Sequence, residues 1–210
     1  MKRIFIVFVL LLLFGCQSVK KDSIQLKSVI ETKDIPDKYA ERITKQGSIE
    51  ELSYKAYLRR QKKTVLKKAM VYLPYGYRPD KKYKIMYLFH GYGGNENTYL
   101  GTINQPRDFK YILDYMNEDM IVVTPTITFN RKNSENSIQD FTDEILDDLI
   151  PVAESKYKTY ALDVKKEELI KSREYRIFIG RITGMAIVFK RIRICKILFT
   201  NELFNVSFNC

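Results

Sequence analysis

The grouping most able to do chemistry is the stretch IMYLFHGYGGNENTY, from Ile85 to Tyr99. An apolar run, Ile85 to Phe89, leads directly into His90, Gly91, Tyr92, Gly93 and Gly94. Where a buried strand of a parallel sheet ends, its carboxyl end opens the crevice in which such sheets bind ligands. Glycines there let a reacting group approach the main chain. A main-chain N–H can then stabilise the oxyanion of an acyl-transfer intermediate that side chains would obstruct. Two other readings compete, an ordinary strand-to-helix turn and a phosphate-binding loop, although neither GxxxxGKS/T nor GxGxxG is present. His90 is the only histidine in the chain. It reads as a brace for the loop rather than a general base, and its being single excludes a histidine-rich catalytic metal site.

Cys16 is the second residue with chemistry attached. Lys2 and Arg3 precede an apolar run from Ile4 to Phe14, which has the charged and hydrophobic regions of a secretory signal and is too short to span a bilayer comfortably. The run closes Leu13, Phe14, Gly15, Cys16. This resembles a lipobox, with an aliphatic residue three before the lipid-bearing cysteine and a small residue just before it. Phe14 is bulkier than that pattern usually has, and a plain signal peptide with a chance cysteine, or a short membrane anchor, are the alternatives. The lipobox reading predicts a mature chain starting at Cys16, extracellular and held to a membrane by its acyl chains. The remaining cysteines, Cys195 and Cys210, form no CxxC pair. They read as incidental thiols, a bridge between them being the alternative in an oxidising compartment.

A sheet must position the glycine loop, and the chain supplies one in alternation with helices. Residues 17–63 are polar and lysine-rich and read as a tether, with a short helix from Ile49 to Arg60 suggested by the spacing of Leu52, Ala56 and Arg59. Ala69 to Leu73 and Tyr83 to Phe89 read as strands joined by a turn at Pro74, Gly76 and Pro79. Asp108 to Met116 carries Phe109, Ile112, Leu113 and Met116 on one helical face, and Met120 to Thr124 is a further strand closed by Pro125. A polar loop with Arg131, Lys132 and Asn133 leads to Ile138–Tyr157, which places Phe141, Ile145, Leu149 and Val152 at helical spacing. A short helix near Val164 to Ser172 and a strand from Tyr175 to Ile179 follow. Such alternation predicts an α/β fold, a mainly parallel sheet with helices on both faces.

Composition agrees with one globular domain: 210 residues, 45% hydrophobic and 29% charged. The formal net charge of +11 raises nucleic acid or an anionic surface as partners. The lysines are spread along the chain, however, and no zinc-finger spacing or RNP-like signature accompanies them, so no nucleic-acid partner is expected.

The segments VYLPYGY, YLFHGYGGNENTYLG, IVVTPT, EILDDLIPVAESKYKTYA and SREYRIFIG, in that order and spacing, resemble the secreted feruloyl-esterase and xylan-esterase type of α/β hydrolases from about Lys63 to Gly180. The resemblance implies the α/β-hydrolase fold, of which this chain carries the N-terminal portion. It also implies hydrolysis of feruloyl or acetyl esters on plant cell-wall polysaccharide by a Ser, Asp or Glu, and His triad, with no cofactor. Residues His90, Gly91, Tyr92, Gly93 and Gly94 would then form the oxyanion loop.

The same resemblance places a nucleophile elbow of GxSxG form directly after the Tyr175–Ile179 strand. Here the residues are Gly180, Arg181, Ile182, Thr183, Gly184. The serine slot falls on Ile182, or on Arg181 if one residue has been lost, and neither is a nucleophile. Thr183 is β-branched and out of register. The triad histidine should follow the elbow, yet none follows His90. Residues 64–184 are therefore expected to be a partial esterase domain, inactive in this chain, or a scaffold retained to bind carbohydrate or another partner. Residues 185–210, apolar and basic, read as a frameshifted tail or as a membrane-contacting segment with Lys190, Arg191, Arg193 and Lys196. An α/β hydrolase continues its sheet beyond the nucleophile, so the Tyr175–Ile179 strand is expected to form a bare apolar edge and the chain to fold poorly.

Overall fold

Leu52, Tyr54 and Ala56 are buried while Ser53, Lys55 and Tyr57 are exposed, the period-two pattern of a strand with one face in the core. They lie in β1 (Ser48–Leu58) of the computed structural model, which describes residues 37–127 and 134–180 and two short strands at 196–198 and 207–208. The expected helix at Ile49–Arg60 is thus a strand. The tether expected over residues 17–63 gives way to sheet from Ser48. The physical reason is pairing: β1 runs antiparallel to β2 (Lys63–Leu73) from Ser48 opposite Leu73 to Leu58 opposite Lys63. This alignment buries alternate apolar residues that a helix would have spread round its surface. A 3-10 turn at Arg59–Gln61 and Lys62 in the left-handed region, φ 48°, reverse the chain between them.

The strands continue as β3 (Lys84–Phe89), β4 (Met120–Pro125), β5 (Arg176–Gly180), β6 (Lys196–Leu198) and β7 (Ser207–Phe208). Their order in the sheet is β1-β2-β4-β3-β5-β6-β7. The centre, β4-β3-β5-β6, is parallel, and the β1-β2 hairpin joins it antiparallel through β4. β5 was expected to be a bare edge beside an unrelated tail. Instead β6 pairs with it, Ile177 opposite Lys196 and Phe178 opposite Ile197, and β7 adds antiparallel to β6. β5 also starts one residue later than expected, because Tyr175 ends a 3-10 turn, Arg173–Tyr175.

Helices cover both faces. Helix α1 (Asp108–Met116) packs Leu113 with Met70, Tyr72, Leu88 and Val122 on one side. On the other, α2 (Ser134–Glu144), a π-helical turn (Ile145–Leu149) and α3 (Ile150–Lys156) follow without a break, with α4 (Lys166–Lys171) after them. Phe141, Ile145 and Leu149 are buried there as their spacing predicts. Val152 is only partly buried and Ala153 takes the core position. The π turn is the cause: its extra residue advances the helix register by one, so Leu149 and Ile150 both reach the core.

Charged groups inside this core are paired. Glu144 accepts from Tyr54 Oη at 2.6 Å and from Lys67 Nζ at 2.7 and 2.8 Å, joining α2 to the hairpin. Across the sheet, Asp114 accepts from Lys110 Nζ at 2.5 Å, from Tyr72 Oη at 3.1 Å and from the Gly47 N–H at 2.8 Å. The Gly47 bond fixes the chain just ahead of β1. Burial pushes the Tyr54 and Tyr72 phenols well above their ordinary range, with the neighbouring carboxylates adding to the shift.

Candidate active site

Three neighbouring parallel strands end side by side. Phe89 closes β3, Pro125 closes β4, and Gly180 of β5 lies in register with Phe89. The chain therefore leaves β5 next to the point where it leaves β3 for His90. Residues 181–184, including the slot residues Arg181 and Ile182 as well as Thr183, lie outside the described residues, as do Cys16 and the loop at Arg131, Lys132 and Asn133.

His90 is 3% exposed. Its Nε2 accepts the Ile127 N–H at 2.8 Å, and its Nδ1 lies 2.7 Å from the Gly91 carbonyl oxygen. An amide can only donate and a carbonyl can only accept, so the pattern puts the proton on Nδ1 and the lone pair on Nε2. Both nitrogens are occupied in bracing the loop. A general base would need to release one of them.

The glycines then fold back. The Gly94 N–H donates to the Gly91 carbonyl at 3.2 Å, closing a four-residue turn with Gly93 third at φ 78°, where a type II turn needs a glycine. At Gly94 the reason is closeness: a Cβ there would lie 2.7 Å from Thr98 Oγ1 and 2.8 Å from His90 Cβ. Tyr92, at the outer corner, is 66% exposed. Within the turn, only Tyr92 carries a side chain, and it faces solvent.

Residues that sequence reasoning passed over hold the other half of this loop. The Glu96 N–H donates to Thr126 Oγ1 at 2.9 Å, Thr124 Oγ1 donates to the Glu96 carbonyl at 2.7 Å, and Thr126 Oγ1 donates to the Glu96 carboxylate. Their signal was the IVVTPT run itself, a buried strand that turns to hydroxyls at its carboxyl end.

The start of β5 is fixed by a buried ion pair. Arg176 and Glu154 are 1% and 7% exposed, and the guanidinium binds both carboxylate oxygens through Nε and Nη2. Arg176 Nη1 donates to the Leu169 carbonyl at 2.8 Å and Nη2 to Ser172 Oγ at 3.1 Å. Tyr87 Oη and Thr159 Oγ1 complete the carboxylate's partners. Burial first, and the Glu154 charge second, hold the Tyr87 phenol well above the ordinary tyrosine range. One cluster so ties β3, β5, α3 and α4 together. An open cavity of about 410 Å³, lined by Tyr77, Pro79 and residues 154–159 and 161–164, Glu154 and Thr159 of the cluster among them, adjoins the start of β3, where Tyr83 N–H donates to the Lys158 carbonyl. It lies at the opposite end of that strand from His90.

No family model matches the chain. The endo-1,4-beta-xylanase Y of Acetivibrio thermocellus is 38% identical over 167 residues, covering 77% of this chain and 14% of the xylanase. A mutant feruloyl esterase module from Clostridium thermocellum, solved with sinapinate, is 34% identical with a TM-score of 0.63, covering 80% of this chain and 57% of that one. A ferulic acid esterase from Anaeromyces mucronatus, solved with ferulic acid, shares the fold at 20% identity and a TM-score of 0.59, over 77% of this chain and 61% of that one. The chain thus spans less than two thirds of the length of each.

Proposed function

We propose, for a chain whose sequence and α/β-hydrolase fold are of the feruloyl-esterase type, a carboxylic-ester-hydrolase lineage acting on feruloyl or acetyl esters of plant cell-wall polysaccharide. The observation that carries this is the similarity to the feruloyl esterase module, 34% identical over 80% of the chain. The glycine turn at the end of β3, level with the end of β5, supports it. Gly91, Tyr92 and Gly93 would offer main-chain N–H groups to a tetrahedral oxyanion, the Gly94 N–H being held by the Gly91 carbonyl, and His90 would hold that loop rather than move a proton. On this reading the 210-residue polypeptide would not turn over esters, because the nucleophile slot falls on Ile182 or Arg181 and neither side chain can act as a nucleophile. The slot residue also favours a second reading, a non-catalytic surface protein that kept the scaffold to bind carbohydrate. In either case we propose a secreted chain held to a membrane by lipid on Cys16.

Sequencing the coding DNA from the codon for Arg173 to well past that for Cys210 separates the two. A second frame continuing with GxSxG and a later aspartate and histidine supports the esterase, whose product should release ferulate or acetate from substituted xylan. The absence of such a frame, with retained binding of xylo-oligosaccharides by the chain, supports the second reading.

A further inference from the structure

We propose that Thr124 and Thr126 are positioning residues for the glycine turn, acting through Glu96 and in concert with His90. The inference rests on the esterase reading for the turn's purpose, but not for its geometry. Four side-chain hydrogen bonds connect the loop after β3 to the end of β4: His90 with the Ile127 N–H, Thr126 with the Glu96 N–H, Thr124 with the Glu96 carbonyl, and Thr126 with the Glu96 carboxylate.

The two threonines hold one residue through the peptides on either side of it, since the Thr126 hydroxyl accepts from Glu96 N–H and the Thr124 hydroxyl donates to Glu96 C=O. Thr124 is 1% exposed and sits on β4 opposite Met70, so its hydroxyl direction is set by the sheet. Asn95 then passes the constraint along the loop: its N–H donates to Thr98 Oγ1 at 2.9 Å, and its carbonyl accepts the Thr98 N–H at 3.0 Å. The Gly91–Gly94 turn is thereby fastened at its front by His90 and at its back by Glu96, both to β4 and the two residues after it. Preorganised amides are useful to an oxyanion only if they do not have to be reoriented when charge develops. The strap supplies that rigidity without placing a side chain in the turn.

The test is amide hydrogen exchange, read residue by residue by NMR on the full chain and on Thr124→Val, Thr126→Val and Thr126→Ser. Each valine removes a hydroxyl and leaves the branch. Thr126→Val should raise exchange at Gly94 and Thr98 about tenfold, as the loss of about one hydrogen bond's worth of local order implies, although neither amide bonds to Thr126. Thr126→Ser should restore both rates, and Val122 and Val123 in β4 should be unchanged throughout. Unchanged rates at Gly94 and Thr98 in both valine variants would overturn the proposal. So would a parallel rise across β4 in both, which would mark the threonines as merely structural. Failure of the esterase reading would appear in the coding sequence and the ester assays and leave these rates as expected, whereas failure of the strap would appear in the rates alone.

Discussion

Arg176 and Glu154 show how much the strand ends depend on single side chains. Each is satisfied by the other and by neighbours on β3, α3 and α4, so removing one leaves a charge in the core without its partner. Glu154→Ala or Arg176→Ala should cost about 3–5 kcal/mol in urea unfolding, whereas replacing the pair together by Leu and Met should cost far less. Glu144 carries a pH consequence of its own. Burial raises its carboxyl above the usual glutamate range, with Lys67 and Tyr54 opposing that shift only in part. A folded-state value above the unfolded one means that the native state holds the proton more tightly. The stability contributed by this group is therefore full below the unfolded value and declines as pH rises through the folded one. In Glu144→Gln that decline should be absent from unfolding curves measured across the acidic to neutral range. A decline equal to that of the unsubstituted chain would contradict the assignment.

At the scale of elements, the glycine turn separates two kinds of constraint. Gly93→Ala meets no neighbour within 4 Å but keeps a φ of 78°, and should cost about 1 kcal/mol of backbone strain. Gly94→Ala drives a Cβ against His90 and Thr98 and should cost about 1–3 kcal/mol as overpacking. The ordering of the two in thermal unfolding tests the account of the loop. Much of this element was legible in the sequence, because the glycines follow directly on an apolar strand, and helix α1 declared itself through the spacing of Phe109, Ile112, Leu113 and Met116. β1 was not legible. The residues it gives to the main core are Leu52, Tyr54 and Ala56, and the last two are weak as hydrophobic signals, while Leu52 and Ala56 also fit a helix. Only the pairing with β2, a non-local interaction, decides between them. The π turn was hidden for a related reason: its extra residue is visible only as the exchange of Val152 for Ala153 at the core. The Thr124 and Thr126 strap lay in a segment that periodicity reads simply as strand.

For the whole molecule, charge and fold divide along the chain. Between residues 64 and 180 Lys and Arg are matched in number by Asp and Glu, so the net +11 resides in the flanking residues. The esterase-like part carries no basic excess of the kind that nucleic-acid binding uses. That part brings together the ends of β3, β4 and β5, a braced histidine and a glycine turn, and the function proposed above puts the nucleophile slot just after β5, on Ile182 or Arg181. On the function proposed above, an α/β-hydrolase scaffold is present without its nucleophile. That claim is tested most directly by incubating the purified 210-residue chain with a fluorophosphonate probe and, in parallel, with a feruloyl ester. No covalent labelling and no ferulate release above the uncatalysed rate are expected. Stoichiometric labelling together with ester turnover would contradict it, because a serine or threonine of this chain would then be acting as the activated nucleophile.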